Sequence, residues 1–221
     1  MRAMLHKATT SHPPLFTVLE AAWASQTEDS FVNREVDKKV VQINFNGRRL
    51  LARWDIHYLY VVKDFAASIN VDLRKRLYVA VREAIESGNR KELSFGPFVL
   101  RLNAVSTLVN RRVADIDAAR DLVHQNPGIR SGEPVIRGTR ILIRMLGEMN
   151  RRGASISDLA REYDLPKRQV ELALLYDRLH PHRGRPSTNS KDVGFAGLGE
   201  IERSEIEELG EYPSRDLSAS G

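Results

Sequence analysis

Gly132-Glu133-Pro134-Val135-Ile136-Arg137-Gly138-Thr139-Arg140 sets two glycines and a proline around a short β-branched pair, and a helix-turn-helix pattern follows closely. The glycine spacing does not match a loop that cradles phosphates. Gly138 instead permits a backbone turn that a Cβ would forbid, and Arg140 is expected to fix the corner by hydrogen bonds. Gly132, Pro134, Gly138, Thr139 and Arg140 therefore read as a structural or dimer-forming unit. Val135-Ile136 and Ile141-Leu142-Ile143 are too short to be stable strands alone, so each is expected to pair with another strand, a second protomer being one source. Beyond them Ile141, Met145 and Met149 keep helical spacing up to a stop at Gly153. Ser155 with Asp158 has capping-box spacing for a helix to about Tyr163, Asp164-Leu165 forms the turn, and Pro166 suits the first position of the next helix. Val170, Ala173, Leu174 and the segment Tyr176 to Leu179 give that helix its apolar stripe. Lys167, Arg168 and Gln169 open it, where base-reading residues sit in helix-turn-helix proteins.

A second pattern of the same kind lies near the N-terminus. Residues 1–14, with His12-Pro13-Pro14, read as a flexible leader. Thr17 and Glu20 then have capping-box spacing, and Leu19, Ala22 and Trp23 share a helical face. A polar break at Gln26-Thr27-Glu28 separates this helix from a second one carrying Val32 and Val36 at i, i+4. Ser30, Asn33, Arg34 and Lys38 project from the second helix, and such side chains read DNA: Asn recognises adenine and Arg guanine in the major groove. Around Val41, Ile43 and Phe45 the period changes to alternation, and Asn46-Gly47 is a strong hairpin signal. A hairpin in this position is a wing, presenting Arg48 and Arg49 to phosphates or a narrow minor groove. Helices are expected over Trp54–Ala67, Val71–Ser87 and Ala104–Val123, with one short strand at Phe95–Leu102 interrupted by Gly96-Pro97.

The fold class expected is mainly α with short β hairpins, as two helix-turn-helix domains: a winged one at 15–121 and a homeodomain-like one at 122–182. An extended tail, 183–221, follows the basic hinge Arg183-Gly184-Arg185-Pro186. From Ser187 onward the tail has three basic residues (Lys191, Arg203, Arg215) and eight acidic ones (Asp192, Glu200, Glu202, Glu205, Glu207, Glu208, Glu211, Asp216), a net of −5. Taking these from the chain's 34 basic and 29 acidic residues leaves the preceding segment at +10. A basic body favours a polyanion through counterion release. The tail dots Phe195, Leu198, Ile201, Ile206 and Leu209 through a polar sequence, a composition that folds upon a partner and not alone.

The run Asn126 to Arg140, continuing through Gly153-Ala154-Ser155, Asp158-Leu159-Ala160, Tyr163 and Gln169 to Leu174, resembles a small helix-turn-helix family without an assigned function. Thr17-Val18-Leu19-Glu20-Ala21-Ala22 looks like a MerR-type first helix. Joined, the two are similar to the larger VapB-type antitoxins. That resemblance implies the antitoxin of a type II toxin–antitoxin system, a homodimer within a larger assembly, which binds operator DNA to repress its own operon. It also implies a VapC-like PIN-domain ribonuclease as partner. Tail residues Phe195, Leu198, Ile201, Ile206 and Leu209 would fill toxin pockets, with Arg183, Arg185 or Arg203 reaching its acidic metal site. The alternatives are a stand-alone MerR-type regulator with no toxin, and an interaction scaffold that does not bind DNA.

Catalysis is not expected. The chain has no cysteine, which removes disulfides, thiolate metal sites and Cys nucleophiles. Its six histidines take no metal-ligand spacing, and no triad or carboxylate pair emerges. No cofactor or metal is expected. With no long apolar run and no signal-like leader, a cytoplasmic location and no membrane partner are expected.

Overall fold

A computed structural model describes residues 15–42, 44–45, 49–88, 92–96, 98–125 and 132–181. The expected leader, Arg48 at the wing tip, and the whole tail (Arg183, Arg185, Phe195, Leu198, Ile201, Arg203, Ile206 and Leu209 included) lie outside the described residues.

Thr17 begins the first helix as its residues predict. Its hydroxyl accepts from the Glu20 N–H at 3.3 Å, while the Glu20 carboxylate accepts from the Thr17 N–H at 2.7 Å, the reciprocal capping box. Helix α1 (Val18–Ser25) ends where Gln26 turns left-handed, and α2 (Asp29–Asp37) follows after a short break. Strands β1 (Asn44–Phe45) and β2 (Arg49–Leu50) form the antiparallel wing. Phe45 stands opposite Arg49, so three residues link the strands where Asn46-Gly47 alone would give two. Leu51 and Phe16 then exchange backbone hydrogen bonds of 2.8 Å, returning the chain to the start of α1.

Helices α3 (Arg53–Val62) and α4 (Val71–Ser87) come next, joined through a 3-10 turn at Ala66–Ser68. Gly88, at φ 64°, ends α4. The stretch expected as one interrupted strand is a hairpin: β3 (Glu92–Phe95) pairs with β4 (Phe98–Arg101), with Phe95 opposite Phe98. Gly96 takes φ 58° and reverses the chain, which explains the correction. Helix α5 (Leu102–Leu122) follows directly.

The β-branched pieces of the second half find their partners within the same chain, not in a second protomer. Strand β5 (Val123–His124) pairs with β6 (Val135–Ile136), and Val135 also bridges Leu142. The partner went unforeseen because β5 is the last stretch of a segment with helical composition. Helices α6 (Ile143–Arg151), α7 (Ile156–Glu162) and α8 (Lys167–Leu179) complete the body. Ser155 caps α7, accepting from the Asp158 N–H at 3.1 Å; Pro166 is the N-cap of α8, one place before the first helical position.

The fold is thus mainly α with short β hairpins, eight helices and three two-stranded sheets among the described residues. One core gathers Phe16, Val32, Leu51, Ile56, Leu59, Leu77, Val81 and Val113. A second gathers Ile136, Ile143, Leu146, Leu159, Val170 and Ala173. Helix α8 serves both, since Leu175 and Leu179 pack into the first. Apolar burial is the driving term in each.

Helices α6 and α8 meet at Gly147. A Cβ there would lie 2.1 Å from Asp177 Oδ2 and 2.5 Å from its Cγ, and Asp177 is buried and bonded to Arg151 Nη1 at 2.6 Å. Gly147→Ala is expected to destabilise the protein by about 1–3 kcal/mol through overpacking. Urea denaturation measures this, and Asp177→Ala in the same chain is expected to relieve most of the added loss.

Candidate nucleic-acid interface

Two buried carboxylates orient the first helix-turn-helix. Glu20 of α1 is fully buried; its oxygens accept from Arg120 Nε at 2.9 Å and Nη2 at 2.7 Å, with His180 Nε2 at 3.4 Å. Burial alone pushes the Glu20 carboxyl up, but His180, Arg120 and the Thr17 N–H outweigh it and hold the group at about 2. Glu35, on the inner face of α2, is bonded to Arg74 of α4 and accepts from the Tyr58 hydroxyl at 2.9 Å. Burial and the neighbouring Glu35 drive the Tyr58 phenol well above its ordinary range. With Glu35 held inward, helical periodicity turns the other side of α2 to solvent.

That outer side carries the sequence-predicted residues together. Ser30, Arg34 and Lys38 are exposed and Asn33 is half-buried. Arg34 lies over the Phe31 ring, 5.8 Å from its centroid. The wing's Arg49 docks onto the same helix: Nη1 donates to Asn33 Oδ1 at 2.7 Å and Nη2 to Asp37 Oδ1 at 2.8 Å. Asn33 Nδ2 in turn donates to the Asp29 carbonyl at 3.0 Å. Asn33 is therefore engaged within the protein, and reading adenine would require it to exchange these partners. Ser30 Oγ likewise donates to Glu28 Oε2 at 3.0 Å. Arg34 and Lys38 stay exposed and have no carboxylate partner among the described residues, and Lys39, which the sequence reading missed, joins them. Asp37 was missed as well, although its spacing of four from Asn33 places both on one face.

The second helix-turn-helix differs. Arg168 is bonded to Asp115 of α5 and to Glu171, 3.3 Å away, so the start of α8 is tied to α5. Lys167 is exposed and Gln169 half-buried. One of the three expected DNA contacts is thus committed to internal pairing.

The nonapeptide builds a corner. Gly132 and Gly138 take φ 80° and 78°, the conformation foreseen for Gly138. The bonds that fix the corner come from Thr139 and Arg137, not from Arg140 as expected. Thr139 Oγ1 donates to the Ile136 carbonyl at 2.9 Å and accepts from the Ile141 N–H at 3.1 Å. Arg137 reaches the Leu122 and Asp121 carbonyls through its N–H at 2.8 Å and its Nε at 2.9 Å. Arg140 is exposed and makes no such bond among the described residues.

Asp55, in α3, accepts from the Ala52 N–H at 2.7 Å and the Tyr78 hydroxyl at 2.8 Å. Burial nevertheless raises its carboxyl to about 6. A carboxyl raised by folding stabilises the protein fully below its ordinary value, and that contribution is lost as the pH rises through about 6. Glu20 acts oppositely: its contribution is complete above its ordinary value and is lost as the pH falls towards about 2. Buried His57, held below its ordinary value by desolvation, acts against Asp55 by adding stability as the pH rises towards 6.5. Melting temperatures of the wild type and Asp55→Asn across pH isolate the Asp55 part, the variant gaining stability relative to the wild type as the pH rises through about 6.

Among the described residues no group of three or more His, Asp or Glu side chains is placed to hold a metal ion. No helix is long and apolar enough to cross a membrane.

The described residues thus hold two helix pairs, α1–α2 followed by the β1–β2 hairpin, and α7–α8 after the β5–β6 corner. Residues 123–176, from β5 into α8, match the model of a family described as a protein of unknown function, DUF433. An uncharacterized protein of Sinorhizobium fredii, y4eO, is 32% identical over 77 residues, 34% of this chain. The chain covers 35% of that relative's length. A crystal structure of Rv2018 from Mycobacterium tuberculosis aligns over 74% of this chain and 98% of its own, with a TM-score of 0.28 and 17% identity.

Proposed function

We propose that the protein is the antitoxin of a type II toxin–antitoxin pair, which grips operator DNA with its first helix-turn-helix and neutralises a ribonuclease with its acidic tail. The observation that carries the DNA part is a group of exposed cations on α2 and just past its end: Arg34 on the helix, Lys38 at its C-cap and Lys39 after it, beside a wing docked through Arg49. Arg168 of the second motif, by contrast, is occupied by Asp115. That motif therefore serves as a scaffold and dimerisation module, and α2 enters the major groove.

The toxin part rests on the charge split and the resemblance. A tail that carries −5 from Ser187 onward, with spaced apolar residues, suits a basic, grooved partner, a VapC-like PIN-domain ribonuclease in the cytoplasm. No cofactor takes part. A stand-alone MerR-type regulator is the second reading, favoured because the DNA face lies wholly within the first motif.

Two experiments test these proposals. Gel shifts of the full chain on the DNA upstream of its gene, at rising salt, are expected to show a steep fall in affinity; salt-insensitive or absent binding overturns the DNA part. Co-expression with the neighbouring open reading frame is expected to rescue growth, and to fail when the chain stops at Ser187. Rescue by the shortened chain overturns the role of the tail, and a harmless neighbour favours the regulator.

A further inference from the structure

We infer that Arg49 is a phosphate-binding cation held in reserve by Asp37, so that Asp37 weakens the grip of the protein on DNA of arbitrary sequence. This rests on the DNA reading proposed above.

Asn33 and Asp37 are four residues apart and share a face of α2. Wing pairing sets Arg49 opposite Phe45 and aims its guanidinium at that face. The two donor nitrogens then fork, one to the Asn33 carbonyl oxygen and one to the Asp37 carboxylate. Asp37 accepts one of these bonds, a charge-assisted contact that a phosphate oxygen would make with the same nitrogen.

The fold has little need of the pair. The Arg49 and Asp37 side chains are 40% and 62% exposed, and ion pairs so open to water add little stability. Asp37 also stands in the last turn of α2, the end of a helix where its dipole disfavours a carboxylate. The contrast with Glu35 is direct, since Glu35 is buried and bonded to Arg74 and Tyr58.

On random sequence the released Asp37 carboxylate would face a polyanion with nothing in return, so Arg49 stays on Asp37. At a site that presents a base donor such as a cytosine amino group, Asp37 takes that donor and Arg49 moves to a phosphate. A repulsive element that acts against wrong partners raises specificity while lowering general affinity.

The test is a double-mutant cycle on the full chain, with fluorescence anisotropy on a short random-sequence duplex across a salt series, and melting curves to confirm folding. Asp37→Asn is expected to tighten binding about fivefold or more and to steepen the log–log salt slope by about 0.9, one further phosphate contact. In the Arg49→Ala background the same substitution is expected to leave the slope unchanged. An Asp37→Asn protein with the wild-type slope, weaker binding by that variant, or equal steepening without Arg49 overturns the inference. If the wild type binds neither this duplex nor its own upstream DNA at low salt, the DNA reading itself falls.

Discussion

Arg74→Met is expected to destabilise the protein by about 3–5 kcal/mol, the range for breaking a buried ion pair from one side. The substitution keeps most of the side-chain volume but strands Glu35, 1% exposed, with the Tyr58 hydroxyl as its one remaining side-chain partner among the described residues. A domain of ordinary stability has about 5–15 kcal/mol in total, so the loss takes a large part of it. Urea denaturation monitored by circular dichroism gives the number. Replacing Glu35 by Met as well is expected to restore most of it, for a physical reason visible at the site. Arg74 Nε is buried with no hydrogen-bond partner among the described residues, so the native pair is imperfectly satisfied and a well-packed apolar pair replaces it at little loss. A single variant as stable as the wild type would show that α2 is not anchored through Glu35.

Arg34→Ala with Lys38→Ala is expected to weaken binding to the upstream DNA about a hundredfold, while Lys167→Ala with Gln169→Ala stays within about twofold. Each lost groove or phosphate contact is worth about 1–3 kcal/mol, so two give the larger factor. The salt slope is expected to fall by roughly 1.8 in the first protein, for two phosphate-neutralising charges, and to hold in the second. Lys167 faces water as Arg34 and Lys38 do, but the start of α8 that carries it is fastened to α5 through Arg168 and Asp115, whereas Arg34 and Lys38 lie beside the docked wing. Equal losses in both proteins would assign DNA contact to both motifs.

Local chemistry was readable along the chain. The Thr17–Glu20 box, the Ser155 cap and the turn at Gly138 depend on residues within a few positions of one another, and all stand where the sequence puts them. The hairpin at 92–101 was readable only in part, because Gly96-Pro97 marks a break without saying whether the chain resumes its direction or reverses. Pairings between distant residues were not readable. Arg49 with Asp37, Arg74 with Glu35, and Arg168 with Asp115 join elements that only tertiary packing brings together. The corner at Gly138 illustrates the same limit, since the conformation was evident but Thr139 and Arg137, not Arg140, supply its bonds. For the candidate site, the helix and its exposed cations were legible, while the internal engagement of Asn33 and Arg49 was not.

Hydrogen–deuterium exchange of the full chain, alone and with a duplex from its upstream region, tests most directly where DNA is held. Slower exchange is expected across Asp29–Asp37 and the β1–β2 wing, with Ile156–Glu162 and Lys167–Leu179 unchanged. Protection confined to the later two helices, or none at all at salt low enough to saturate binding, would contradict the account.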